Sequence, residues 1–323
     1  MKKILASVLI AFMVSTMASA NEFTVDDITY TLIIGSDEDV PTVLVASSSR
    51  SGAVEIPATV TWDDVTYKVE VIGNWAFRDN TGLTSVIIPG SVMSIGAGAF
   101  YGCTGLTSVT TPNSVTSIGN MTFCDCVNLT DVTISDSVKT ISDGAFSGCL
   151  KLTDVTIPGS VTTIGYTAFQ GCTGLTSIFI PEGVASIDED AFRDCTNLNS
   201  ITFGNAMMSI STRAFSNCTN VTSVTFLGVM TFNNIFQGFG TAESPVTLHI
   251  PSLWPTKDRP VNSTTPWHGG YFNCEYVDPV KEYLGTMVEP CANCPAVEVI
   301  KGDKKVILYN PDKVEFIKVT DEE

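Results

Sequence analysis

Cys103, Cys126, Cys149, Cys172, Cys195 and Cys218 recur every 23 residues, and Asn80 holds the same place one step earlier. Thiols at a fixed spacing could form disulfides, ligate a metal or fill small apolar sites. If successive copies stack at about 4.8 Å, the strand spacing, their Cα–Cβ vectors run parallel, whereas a disulfide needs a crossed geometry. A one-dimensional stack of thiols cannot surround a zinc ion tetrahedrally. The expectation is therefore six reduced, buried thiols filling small apolar sites. Cys124 lies off this ladder. Cys291-x-x-Cys294 is a redox pair or half a zinc site by spacing, but no second pair accompanies it. In an exported chain a local disulfide, or one from either cysteine to Cys274, is the expected state.

Acid–base chemistry is poorly supplied. The two histidines, His249 and His268, lie in no Ser/His/Asp or Cys/His setting. Asp131 and Asp154 occupy equivalent places in neighbouring copies, and a carboxylate pair can do glycosidase chemistry at about 5–9 Å. An open sheet face, however, offers no pocket to desolvate either acid. Asp188-Glu189-Asp190 reads as a solvated corner and a weak calcium candidate. No catalytic residue, metal site or cofactor is expected.

The elements that carry these residues form one sentence of 23 residues written seven times, from Gly73 to Asn233. Phe77, Phe100, Phe123, Phe146, Phe169, Phe192 and Phe215 keep the period without a slip, as do Ile72, Ile95, Ile118, Ile141, Ile164, Ile187 and Ile210. Such a period means a solenoid, each copy burying its apolar side only against the next. In each copy an L-x-x-V-x-I segment (Leu83-Val86-Ile88, Leu129-Val132-Ile134, Leu152-Val155-Ile157) places β-branched residues two apart on one side, as a strand requires. Pro89, Pro112, Pro158 and Pro181 then end the strand. A second apolar anchor follows (Val92, Val115, Val138, Val161, Val184). An Ile-Gly corner comes next, then Ala-Phe-x-x-Cys, which reads as a single helical turn with its Ala, Phe and Cys facing inward.

Cys/Asn-x-x-Leu-x-x-Val/Ile-x-Ile-Pro-x-x-Val-x-x-Ile-Gly-x-x-Ala-Phe resembles the bacterial BspA-like leucine-rich repeat, over roughly residues 54–251. The resemblance implies an α/β repeat solenoid with a parallel concave sheet, short convex strands and single helical turns. It implies a secreted or surface protein of adhesive or ligand-binding type and no catalytic site.

In chain order, Lys2 and Lys3, the apolar run Ile4 to Val14 and Ala18-Ser19-Ala20 read as a cleavable secretory signal, residues 1–20. The run is too short to span a bilayer, and no later stretch reads as a transmembrane segment. Removing residues 1–20 leaves 15 basic against 34 acidic residues, a formal charge of −19. That balance repels phosphate backbones, so nucleic acid is not an expected partner. Residues 21–72 read as an N-terminal cap with a degenerate first repeat (Val54, Ile56, Pro57, Val60) and an insertion from Trp62 to Lys68. Residues 73–251 form the solenoid, ending on Val246 to Pro251. Residues 252–278 read as a C-terminal cap whose Trp254, Trp267, Tyr271 and Phe272 either close the last coil or offer a carbohydrate platform. Residues 279–323 read as a linker and a small three-stranded β meander (297–300, 306–309, 314–319).

A function would sit on the outward positions of the concave strands. One column is Ser85, Ser108, Asp131, Asp154, Ser177, Ser200 and Ser223. The next is Ile87, Thr110, Thr133, Thr156, Phe179, Thr202 and Thr225, with His249 on the eighth strand. Candidate binding residues are Phe179, Thr156, Thr202, Asp131, Asp154, Thr133 and His249. The expected partner is an extracellular protein or host-matrix ligand. A glycan bound at the C-terminal aromatic cluster is the alternative, and an ice- or crystal-binding threonine ladder is a third reading.

Overall fold

A computed structural model describes residues 21–33, 40–204, 209–211, 213–227, 246–251, 272–277, 296–301 and 304–309. The chain winds as a β-solenoid with two long sheets. The first sheet carries the L-x-x-V-x-I segments and is called the front sheet here. It comprises Gly52–Glu55, Leu83–Ile87, Ser108–Thr110 and Asp131–Thr133, all parallel, then a second parallel set of Ser177–Ile180, Ser200–Phe203, Ser223–Phe226, Val246–Pro251 and Phe272–Val277. The last strand pairs in parallel with Val246–Pro251, so the front sheet runs on beyond the regular repeats. The second sheet is a series of two-residue parallel strands at the Ile corner, from Ser94–Ile95 to Ser209–Ile210.

The N-terminal cap extends this corner sheet. Glu22–Val25, Ile28–Leu32 and Thr42–Ser48 pair antiparallel in turn, and Thr42–Ser48 lies parallel to Val65–Ile72. Thr59–Trp62 folds back on Val65–Ile72 as a hairpin, which is the insertion read between Trp62 and Lys68. Gly52–Glu55 pairs with Leu83–Ile87 as the first front strand, with Val54 and Ile56 buried. At the other end, Ala296–Lys301 and Lys304–Tyr309 form an antiparallel hairpin. The expected third strand, 314–319, lies outside the described residues, as do the signal segment, Cys291, Cys294, His268, Trp254, Trp267 and Tyr271.

The Ala-Phe-x-x-Cys segment is not a helical turn, and no helix forms among the described residues. Amide bonds alternate instead. Ala99, Tyr101 and Cys103 donate to Gly96, Gly98 and Phe100 within the coil, while Gly98, Phe100 and Gly102 donate to Asn120, Thr122 and Cys124 of the next coil. This alternation needs a left-handed residue every fourth place. One such column is Asp79, Gly102, Asp125, Gly148, Gly171, Asp194 and Asn217, all with positive φ and all of the types that tolerate it. The other column is Trp75, Gly98, Met121, Gly144, Thr167, Asp190 and Arg213. Its large residues lie over the following glycine: a Cβ at Gly98 would come within 2.1 Å of the Trp75 ring.

The seven period-keeping phenylalanines are fully buried and stack as one column, with centroids 4.9 to 5.4 Å apart and planes within 15°. This is close to the strand spacing, so ring stacking and backbone pairing share one repeat distance. All six ladder cysteines are free and fully buried. Each thiol also has a task the sequence reading missed. Cys103 donates to the Phe77 carbonyl at 3.0 Å, and Cys126, Cys149, Cys172, Cys195 and Cys218 repeat the bond at 3.1 to 3.2 Å on Phe100, Phe123, Phe146, Phe169 and Phe192. Where Asn80 replaces cysteine, its amide donates to Arg50 O at 2.7 Å. Thiol labelling of the native protein should therefore be slow at the ladder and rise by six groups on denaturation without reductant. Mass-spectrometric detection of disulfides among Cys126, Cys149 and Cys172 would contradict this.

Candidate functional site

The front face is built by strand alternation: inward positions pack the core and outward positions meet solvent. Asp131, Thr133, Asp154 and Thr156 are exposed, and Thr202 is half-buried. Phe179 is 50% exposed and lies in register beside Thr202. Ile87, four coils away in the same column, is 61% exposed. His249 takes the matching register position opposite Thr225, but its side chain is outside the described residues. Asp131 and Thr133 stand on a strand one coil from Asp154 and Thr156, which in turn stand one coil from Phe179.

The strand expected over Leu152, Val155 and Ile157 does not form, and the front sheet is interrupted there. Val155 and Ile157 remain buried, so the segment keeps its place in the core. What it lacks is the ladder. Thr107 and Thr130 each donate amide and hydroxyl to the carbonyl of the preceding coil at 3.0 to 3.1 Å. Thr153 and Thr176 make neither bond, and the pairing resumes where Asn199 N–H meets Thr176 O at 2.8 Å. Asn128 and Asn197 tie their coils to Thr104 O and Thr173 O at 2.7 and 2.8 Å, but this tie does not decide the matter, because Gly82, Gly105 and Gly174 hold the place of Lys151 in coils whose front strands form. Two aspartates facing each other across a ladder also repel. The doubled Thr-Asp-Val-Thr of 130–133 and 153–156 was the visible signal of this break.

The threonine column beside these positions is less free than its exposure suggests, because Thr107, Thr130 and Thr222 spend their hydroxyls on backbone carbonyls.

The Asp188-Glu189-Asp190 corner is not solvated as expected. Asp190 is 2% exposed, and its Oδ2 lies 3.4 Å from Arg213 and 3.6 Å from Arg193. Burial, with Asp143 nearby, pushes the Asp188 carboxyl above its ordinary range. No group of three acidic, histidine or cysteine side chains suited to a metal occurs among the described residues. The corner is an ion-paired joint between coils, one partner lying a full repeat away in sequence. The sequence reading also passed over Arg78, whose guanidinium lies 5.1 Å from the Trp75 ring and 5.6 Å from the Tyr101 ring.

A parallel front sheet, a corner sheet and a phenylalanine–cysteine spine define a leucine-rich-repeat solenoid. A family model of the BspA type leucine rich repeat region, in six copies, matches residues 59–176 and 162–240, and the chain belongs to that family. Similar solved structures include a leucine-rich repeat protein from Bacteroides ovatus, 25% identical over 71% of this chain and 72% of that one, TM-score 0.47. The T. pallidum leucine rich repeat protein is 25% identical over 67% and 88%, TM-score 0.46. A leucine rich cell surface protein from Faecalibacterium prausnitzii is 22% identical over 79% and 94%, TM-score 0.35. No curated protein shows significant similarity. Leucine-rich-repeat proteins are generally non-catalytic binding modules, which is the role the family suggests.

Proposed function

We propose that this is a secreted or cell-surface binding protein of adhesin type, which engages an extracellular protein through the front face around Phe179. One observation carries the reading. Phe179 is half-exposed on a strand whose neighbours in the same column are threonines, and Thr110, Thr133, Thr202 and Thr225 stand at that place in strands that form without an aromatic. An exposed aromatic among small hydroxyls has the form of an interface anchor. The basic start, apolar run and Ala18-x-Ala20 support export, and the family favours a surface location.

The test begins with capture of host extracellular-matrix proteins. Phe179→Thr should then weaken binding about thirtyfold, the equivalent of a hot spot of about 2 kcal/mol. Stability should change by under about 1 kcal/mol, the scale of a cross-strand contact. If Phe179→Thr binds as tightly as the native protein while Trp254 and Trp267 substitutions abolish binding, the front-face reading is wrong. A positive glycan array under those conditions would favour the carbohydrate alternative.

A further inference from the structure

The front face is an unpartnered sheet surface with one sign of charge. From Thr84 to Ile87, through each equivalent segment, to Thr222–Thr225, it carries no lysine or arginine. Within that stretch its charges are Asp131 and Asp154, both exposed, and neither carboxylate makes a hydrogen bond or ion pair among the described residues; the first front strand adds a further acid, Glu55, beside Ile87. They sit beside the exposed Phe179 and border the one interruption of the front sheet among the described residues. The other ladders of the same coils are intact: Phe123 donates to Ala145 O, Phe146 to Ala168 O and Thr162 to Lys139 O, at 2.7 to 2.8 Å. Residues 152–158 are thus held at the back and open at the front.

We propose that Asp131, Asp154 and Phe179 form a docking surface for a basic polypeptide segment, and that its cation closes the front sheet across residues 152–158. The proposal rests on the protein-binding reading and names the partner's chemistry. A lysine or arginine placed between the two carboxylates replaces their repulsion by attraction, which removes the like-charge opposition that disfavours pairing at 130/153. The chain's formal charge of −17 steers such a segment to the face. Coils about 4.8 Å apart, and a step of two residues along the strand, put Phe179 roughly 10 Å from the point between the carboxylates. An extended chain covers that distance in about three residues. The segment therefore carries an apolar residue about three places from its basic one.

The experiment uses the full chain and two synthetic heptapeptides. One has two adjacent lysines three residues from a leucine, and the other has glutamates in place of the lysines. Binding is measured by titration at low and high salt, and amide hydrogen exchange at 153–157 is followed with and without peptide. The lysine peptide should bind, lose affinity with salt and slow exchange at 153–157 by roughly tenfold, as an opened ladder closes. The double variant Asp131→Asn, Asp154→Asn should bind it roughly fivefold more weakly, the scale of exposed ion pairs. It should also exchange more slowly than the native protein without peptide. Equal binding of the two peptides, or exchange at 153–157 that neither peptide nor substitution alters, overturns the proposal. If Phe179→Thr weakens capture of a matrix protein while the double variant binds it normally, the cation subsite fails and the protein-binding reading stands. If neither substitution affects capture, both fail.

Discussion

Replacing Phe146 by alanine is expected to lower the unfolding free energy by about 3–5 kcal/mol, the usual cost of emptying a buried aromatic site. The ring is fully buried between Phe123 at 5.4 Å and Phe169 at 5.2 Å, so truncation removes two stacking partners and leaves a void in mid-column. Phe77 is equally buried but stacks on one ring of the column, Phe100 at 5.0 Å. Phe77→Ala should therefore cost less, by roughly the 0.5–1.5 kcal/mol of one aromatic pair. The central lesion also falls where each coil depends on both neighbours, so it should split a single denaturant transition into two. Urea unfolding followed by circular dichroism measures both effects. Small and equal losses at the two sites would exclude the spine as the source of cohesion.

Alkali is expected to unfold the reduced protein between pH 9 and 12. Burial pushes the Cys172 thiol up to about 12 and Cys126 and Cys149 well above their ordinary value of 9.0. A hydrogen bond with Cys218, followed by burial, does the same for Cys195. In the unfolded chain these thiols ionise near 9, while in the folded chain they keep their protons. Folded protein then binds more protons than unfolded, so stability is complete below pH 9 and falls as pH rises toward the folded values. Each pH unit in that window costs about 1.4 kcal/mol per thiol, so several thiols together reach the order of a domain's whole stability by pH 11. Buried Tyr30, raised to about 12 chiefly by burial, adds in the same direction above pH 10. Denaturant midpoints taken from pH 8 to 12 with reductant present would show the slope, and Cys172→Ala should make it shallower. A midpoint unchanged to pH 11 would mean that the thiols are not held protonated by the fold.

The repeat was legible because its period is carried by residues with one possible place: an aromatic, a β-branched corner and a thiol at fixed offsets cannot be satisfied by a globular core. The outward columns followed from strand phase alone, and Phe179 stands on the solvent side where the phase put it. The turn was misread because Ala-Phe-x-x-Cys has the i, i+3 spacing of a helix. The correcting signal was the Asp79, Gly102, Asp125, Gly148, Gly171, Asp194, Asn217 column, whose composition announces positive φ. Asp190 was misread because an acidic triplet resembles a solvated loop, although Arg213 stands one period away and can reach it. The interrupted strand was beyond a repeat-by-repeat reading, since 152–157 fits the consensus as well as its neighbours do. Only the pairing of Asp131 with Asp154, a relation between coils, distinguishes it.

The thiol bonds each span 26 residues, and the threonine bonds beside them span 23. No contact of the spine requires the chain to find a segment farther away than the next coil. The entropy of closing each loop is thus fixed by the repeat and does not grow with the number of repeats. Relative contact order falls as coils are added, so a longer array of this kind should nucleate at any coil and propagate from it, without the slow search that long-range β pairing imposes on sandwiches and barrels.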